Sequence, residues 1–217
     1  MLGEAVQDYL KAIWKLDREG HATTSALATE RAVTPASATA MVKKLAGLGL
    51  VDHERYRGTR LTPAGEQMAL EVVRHHRLLE LYLMQALGLG WDEVHAEAER
   101  LEHYLSEELE ARIDEALGHP THDPHGDPIP TAELVLTSED RRWLSDVADG
   151  TAAVIRRVPD GDPALLRYLA SMGIVPEQAI LLVERAPFDG PVTLEVGGAR
   201  HSIGLGLAGR IEVEAAA

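Results

Sequence analysis

The chain contains no cysteine. That excludes disulfides, thiolate zinc sites and cysteine nucleophiles, and it fits a cytoplasmic protein. No apolar run is long enough to cross a bilayer, and Met1-Leu2-Gly3-Glu4-Ala5-Val6-Gln7-Asp8 lacks the basic start of a secretory signal. Repeats and low-complexity tracts are absent too. Positive charge is scarce: 21 Lys and Arg face 35 Asp and Glu, for a net charge of -14. With 45% hydrophobic and 26% charged residues, the 217-residue chain has a globular composition and room for one large domain or a few small ones.

The acidity is unevenly spread. Residues 1–62 hold nine Lys and Arg against seven Asp and Glu, a net of +2, which leaves -16 for the rest. Only the first part has the electrostatic character of a polyanion binder. Its pattern predicts a helix over 4–18, a shorter one around Thr24–Ala32, and a third opened by Thr34-Pro35 and closed by Gly49. Leu50–Tyr56 and Thr59–Thr62, joined at Arg57-Gly58, read as a hairpin. Three helices and a hairpin are the layout of a winged helix-turn-helix. Thr34, Ser37, Thr39, Lys43 and Lys44 on the third helix, with Arg55, Arg57 and Arg60 on the hairpin, are the candidate DNA contacts. Short hydroxyls reach base edges, and the basic side chains reach phosphate.

Pro63 opens a long helix to about Leu87, and a second is predicted from Trp91 or Asp92 to Leu117. The first carries apolar residues on much of its surface, which implies packing on more than one side and a helix-mediated dimer. A proline- and histidine-rich linker follows at 118–130, then a helix-like stretch at Ser138–Asp149. Strands are expected at Ala153–Val158, Ala179–Glu184, Val192–Val196, Arg200–Ile203 and Arg210–Val213, with a helix at Pro163–Met172, suggesting a small β-barrel. The fold class is therefore mainly α with a small β module. The domains are expected at 1–62, 63–137 and 150–217.

The chemistry concentrates in the second block. His95, Glu99 and His103 recur every four residues and Glu102 follows Glu99 by three, so they fall on adjoining parts of one helix face. His76 and Glu80 are four apart on the preceding helix, and Asp8 offers another carboxylate from the first. Oxygen and imidazole donors without sulfur favour Mn²⁺ or Fe²⁺ over copper.

These segments resemble the diphtheria toxin repressor family of metal-activated regulators, and its manganese-responsive branch in particular. The resemblance rests on Gln7-Asp8-Tyr9-Leu10-Lys11-Ala12-Ile13, Val33-Thr34-Pro35-Ala36-Ser37, Arg74-His75-His76-Arg77-Leu78-Leu79-Glu80, and Val94-His95 through Glu102-His103-Tyr104-Leu105-Ser106. It continues through His122-Asp123-Pro124-His125-Gly126-Asp127-Pro128-Ile129-Pro130 and Asp162-Pro163-Ala164-Leu165-Leu166-Arg167-Tyr168-Leu169, so it covers nearly the whole chain. It implies a winged helix-turn-helix domain, a helical dimerisation domain and a C-terminal SH3-like (FeoA-like) barrel. The implied primary site is Asp8, Glu99, Glu102 and His103, with His76 adjacent or shared. The implied second site is Glu80, Asp123, His125 and either Asp160 or Asp162, together with His95. Lys11 departs from the two-manganese pattern of some relatives, which place a glutamate there.

The expected partners are a double-stranded DNA operator and a second copy of the chain, with no membrane and no small organic substrate. The expected function is control of manganese or iron uptake genes. A rival reading is a metalloenzyme built in the helical block. It is disfavoured because His-Glu-x-x-His is missing and no Glu-x-x-His pair falls on these helices. A third makes the barrel a protein-interaction module, although Leu165, Leu166 and Leu169 more simply pack it.

Overall fold

The computed structural model describes residues 3–20, 22–54, 58–136 and 142–215. It begins with three helices, α1 (Glu4–Glu19), α2 (Thr24–Glu30) and α3 (Pro35–Gly47). The Thr23 and Thr34 side chains accept from Ala26 N–H and Ser37 N–H, satisfying otherwise orphaned donors, and Pro35 opens α3 where no N–H is needed. Leu10, Ile13, Leu27, Val42 and Leu45 close the core between them, each contributing about 1.5–3 kcal/mol by burial. The antiparallel hairpin β1 (Val51–Glu54) and β2 (Gly58–Leu61) pairs Val51 with Leu61. Thr59 N–H donates to Ala22 O at 2.9 Å, fastening this wing to the helices.

Helix α4 (Pro63–Leu87) is capped by Thr62 and ended by Gly88, whose φ of 74° suits glycine. Residues 72–80 are buried without a break, because α1, α5 (Val94–Leu101) and α6 (Glu107–Ala116) pack around this helix. The breadth of its apolar surface is therefore used largely within the chain. On α4 itself Leu87, its last residue, stays exposed, and Leu101, Tyr104 and Leu109 are among the large apolar side chains exposed in the segments that follow.

The second helix of this block is not continuous. After α5 the chain tightens into a 3-10 turn, Glu102–Tyr104, and α6 starts afresh on Ser106. The Ser106 hydroxyl accepts from Leu109 N–H, an alternative to continued helix that serine offers the backbone.

The C-terminal part is an antiparallel sheet of β3 (Arg142–Trp143), β4 (Thr151–Arg157), β5 (Ala179–Arg185), β6 (Val192–Val196), β7 (Ala199–Ile203) and β8 (Glu212–Ala215). The strand order is β3-β8-β4-β5-β6-β7. Val192, Leu194 and Val196 alternate inward along β6 onto Leu166 and Leu169 of α7 (Pro163–Ser171). Where a helix-like stretch is expected at Ser138–Asp149, residues 142–149 instead hold β3 and a 3-10 turn, while 137–141 lie outside the described residues. Pairing of Trp143 with Glu212 and of Arg142 with Val213 overrides the local pattern. The last strand is displaced from Arg210–Val213 because α8 (Leu205–Ala208) occupies the approach to it.

Loop 122–130 is wedged between α4 and the sheet. Val158 N–H donates to His125 O at 3.0 Å, and Asp127 takes ion pairs from Arg77 (2.9 Å) and Arg157 (2.8 Å). Gly126 has φ +90°, and a Cβ there would lie 1.8 Å from Arg156 O, so only glycine allows this approach. Among the described residues, no helix is long and apolar enough to cross a membrane.

Candidate metal centre

Helical spacing does the first sorting. Asp8 and Lys11 share a face of α1, His76 and Glu80 a face of α4, and His95 and Glu99 a face of α5, while the 3-10 turn adds Glu102 and His103. Packing then brings four groups of three together, each with ligand atoms within 4.8 Å of one another: Asp8/Glu102/His103, His76/Glu99/Glu102, His76/Glu80/His95 and Glu80/Asp123/His125. They form two adjoining clusters. A cavity of about 580 Å³ borders both, and its walls include Asp8, Lys11, His76, His95, Glu99 and Asp160.

In the first cluster Asp8 Oδ1 lies 3.0 Å from His103 Nε2, and His103 Nε2 lies 3.9 Å from Glu102 Oε1. His103 Nδ1–H donates to Gln7 Oε1 at 2.6 Å, which turns Nε2 toward the carboxylates. Asp8 also pairs with Arg31, at the C-terminal end of α2. Lys11 Nζ reaches Glu99 Oε1 at 2.5 Å, both oxygens of Glu102 at 2.8 Å and His76 Nδ1 at 3.2 Å. Gln7 and Arg31 escape a search of the sequence confined to carboxylates and imidazoles, and Lys11 stands out there only as a departure from the glutamate of some relatives. For Gln7 the legible signal is its place four residues before Lys11, on the same face of α1.

His76 stands between the clusters, with Nδ1 2.5 Å from Glu102 Oε2 and Nε2 2.9 Å from Glu80 Oε1. His95 Nδ1 approaches the same Glu80 oxygen at 2.9 Å and Asp160 Oδ2 at 3.7 Å. Asp162, the other aspartate weighed for this place, instead accepts from Ala164 N–H (2.8 Å) and Leu165 N–H as the cap of α7. His125 Nε2–H donates to Trp91 O at 2.8 Å, leaving Nδ1 aimed at Glu80 Oε2 across 3.8 Å. Both of those facing atoms are buried and have no hydrogen-bond partner. Once His125 Nδ1 gives up its proton, these are two facing buried acceptors, which a cation would satisfy, and oxygen and imidazole nitrogen suit Mn²⁺ or Fe²⁺, so the residues fit the metal. Asp123 is less free. Its Oδ1 accepts from His125 N–H (2.8 Å) and Asp127 N–H (2.9 Å).

The electrostatics match a site for positive charge. Burial alone would disfavour a charged Glu80, yet His76, His125 and His95 hold it well below the usual carboxylate range. Burial likewise opposes ionisation of Glu99, but Lys11 and His76 bring it down to about 2. Against burial, which lowers them, His76 is raised to about 10 mainly by Glu80, and His125 to about 9 by Glu80 and Asp123. Asp123 is pushed well up, first by burial and then by Asp127 and Glu80.

Of the candidate DNA contacts, Thr34, Ser37, Lys43, Lys44 and Arg60 are exposed and Thr39 is half-buried. Thr39 Oγ1 donates back to Pro35 O at 2.7 Å, and Thr34 Oγ1 is taken up in capping. Arg55 and Arg57 lie outside the described residues.

A winged helix-turn-helix joined to helices bearing clustered hard donors defines a metal-responsive DNA-binding regulator. Three family models agree: the N-terminal DNA-binding domain of the iron dependent repressors matches residues 1–59, their metal binding and dimerisation domain 62–131, and the FeoA domain 143–215. The iron-dependent repressor IdeR of Mycobacterium tuberculosis (strain ATCC 25618 / H37Rv) is 34% identical over 210 residues, covering 91% of this chain and 90% of its own length. The diphtheria toxin repressor of Corynebacterium diphtheriae is 35% identical over 130 residues, 59% of this chain and 58% of its own.

Among solved structures, a manganese-dependent transcriptional repressor in complex with manganese superposes with a TM-score of 0.89. It is 40% identical, and the match covers 97% of this chain and all of that one. ScaR with bound Cd²⁺ gives a TM-score of 0.85 at 32% identity, over 97% and 99% of the two chains. The chain belongs to the diphtheria toxin repressor family of metal-dependent, DNA-binding transcriptional repressors. These are regulators and not enzymes, so the metalloenzyme alternative is set aside.

Proposed function

We propose that the chain is a homodimeric, cytoplasmic repressor that grips a double-stranded operator when Mn²⁺ fills its metal centre, and that it controls manganese or iron uptake genes. Fe²⁺ is the other ion these donors accept. In this reading residues 1–62 bind DNA, 63–137 hold metal and make the dimer, and 150–217 form the barrel module. The primary ligands are Asp8, Glu99, Glu102 and His103, with His76 shared. The second set is Glu80, His95, Asp123, His125 and Asp160. Thr34, Ser37, Thr39, Lys43, Lys44, Arg55, Arg57 and Arg60 face DNA.

One observation carries the proposal: Asp8 belongs to the first helix of the DNA-binding unit, yet it shares a cluster with Glu102 and His103 of the helical block. When bound, the divalent ion supplies charge neutralisation and a common centre for these donors. The residues do the rest. Asp8 holds α1 to the 3-10 turn, and α1 packs on α2, α3 and β2. A symmetric dimer must present its two recognition helices one groove repeat apart, so bracing α1 selects the competent arrangement without any ligand touching DNA. The exposed Leu101, Tyr104 and Leu109 support a second copy as partner.

The test is operator binding at matched salt with and without Mn²⁺, in the wild type and in Glu102→Gln. Mn²⁺ should tighten wild-type binding and leave the variant unmoved. Equal stimulation of both would remove the primary set from the proposal.

A further inference from the structure

His76 belongs to the metal centre, but the residue before it supplies no atom to any of the four groups. His75 is nonetheless buried, with both ring nitrogens engaged. Its Nδ1 lies 3.1 Å from the main-chain oxygen of Glu102, and its Nε2 lies 2.8 Å from Glu110 Oε2 on α6. A peptide carbonyl can only accept, so Nδ1 carries a proton whatever the state of Nε2.

Glu102 needs that donor because of where its helix stops. With Leu105 and Ser106 extended, at ψ 124° and 151°, the i+4 bond of a continuous helix is not made at Glu102. The 3-10 turn offers its carbonyl only poorer geometry. Successive residues of α4 then take the two ends of Glu102: His75 holds its main chain, and His76 Nδ1 meets its carboxylate at 2.5 Å. The His75 ring is braced in turn. Arg74 Nε donates to the other Glu110 oxygen at 2.5 Å, and another Arg74 nitrogen donates to Pro130 O at 2.7 Å.

We propose that His75 is a positioning residue of the primary cluster: its Nδ1–H bond to the Glu102 carbonyl sets the 3-10 turn so that Glu102 and His103 face Asp8. This rests on the metal-centre reading above and adds a residue that acts through the main chain. Glu102 and His103 are neighbours in one turn, so a shift of that turn moves both relative to Asp8, which lies 3.0 Å from His103. Donors held in place before the ion arrives spare it the cost of ordering them. A histidine that merely fills space needs no particular nitrogen at that place.

The experiment replaces His75 by Asn and by Gln in a His125→Ala background, which disables the second cluster. Both replacements are neutral and polar. The Asn amide nitrogen stands where Nδ1 does and keeps the Glu102 bond, while the Gln amide reaches the place of Nε2 and keeps the Glu110 contact. Mn²⁺ affinity is measured by titration calorimetry, and hydrogen exchange of the 102–106 amides is followed in the metal-free protein. His75→Asn should stay within about twofold of its parent, whereas His75→Gln should bind about tenfold more weakly and exchange faster over 102–106. Equal affinities or equal exchange in the two variants, whether retained or lost, would overturn the inference while leaving the metal centre intact, and so would a loss confined to Asn. Should His75→Gln fail to fold, His75→Asn decides alone: parental affinity upholds the Nδ1 bond, and a loss of about tenfold overturns it. No Mn²⁺ binding even in the background protein would overturn the metal-centre reading itself, and this inference with it.

Discussion

Asp8 Oδ1 and His103 Nε2 are 3.0 Å apart, although 95 positions separate the two residues in the chain. One belongs to the helix that carries the DNA-binding unit, the other to the turn that ends α5. The contact joins the first unit to the residues proposed to hold metal in the second.

Glu102→Gln keeps the volume of a buried side chain and removes the charge that faces Lys11 and His76. The protein should remain folded, but its Mn²⁺ affinity should fall at least tenfold, about 1.4 kcal/mol. Isothermal titration calorimetry checks this, and unchanged affinity would exclude Glu102 as a ligand.

Asp8→Asn should separate binding from activation. The second cluster keeps all its donors, so Mn²⁺ should still bind, while operator affinity should no longer respond to it. Fluorescence anisotropy with labelled operator, run beside metal titration, distinguishes the two effects. A variant that binds metal and still tightens on DNA would refute the brace.

Lys43, Lys44 and Arg60 are exposed on α3 and the wing. Replacing one by alanine should lower the slope of log K against log salt by about 0.9 if it neutralises one phosphate. The change should be similar for specific and random duplexes. A salt slope equal to wild type for all three variants would place the DNA on another face.

His76 and His125 titrate near 10 and 9, raised by Glu80, with Asp123 adding to the rise of His125, against the opposing effect of burial. A metal must displace these protons, so Mn²⁺ affinity should climb with pH through 7 and 8, with proton release visible in buffers of different ionisation enthalpy. Both pKa values lie above that of an unfolded histidine. Their stabilisation of the metal-free fold is therefore complete below about pH 6.5 and lost as pH rises through 9 to 10. Metal affinity that is flat from pH 6 to 9 would contradict this.

Gly126→Ala should loosen the barrel. The new Cβ would meet Arg156 O at a backbone φ of +90°, a strain of about 1–3 kcal/mol unless loop and strand part. A lower melting temperature and faster proteolysis between α6 and β4 are expected. Wild-type stability would mean the loop does not sit against β4.

Much was legible in the chain itself, because it rests on local rules. The Thr34-Pro35 start of α3, the Pro63 to Leu87 span of α4 and the alternation along β6 follow from capping chemistry and periodicity, which act over a few residues. So does the grouping of His76 with Glu80 and of His95 with Glu99, since residues four apart on a helix share a face. Tertiary structure alone decided what those faces meet. It broke the predicted second helix at the turn holding Glu102 and His103, and it chose Asp160 over the capping Asp162 to face His95. It made strand of Arg142 and Trp143, and it placed Lys11 among Glu99, Glu102 and His76. The physical reason is one of range. A helix's own hydrogen bonds determine where its side chains point, but the partner of a charge in the cluster is set by packing between segments as far as 95 residues apart.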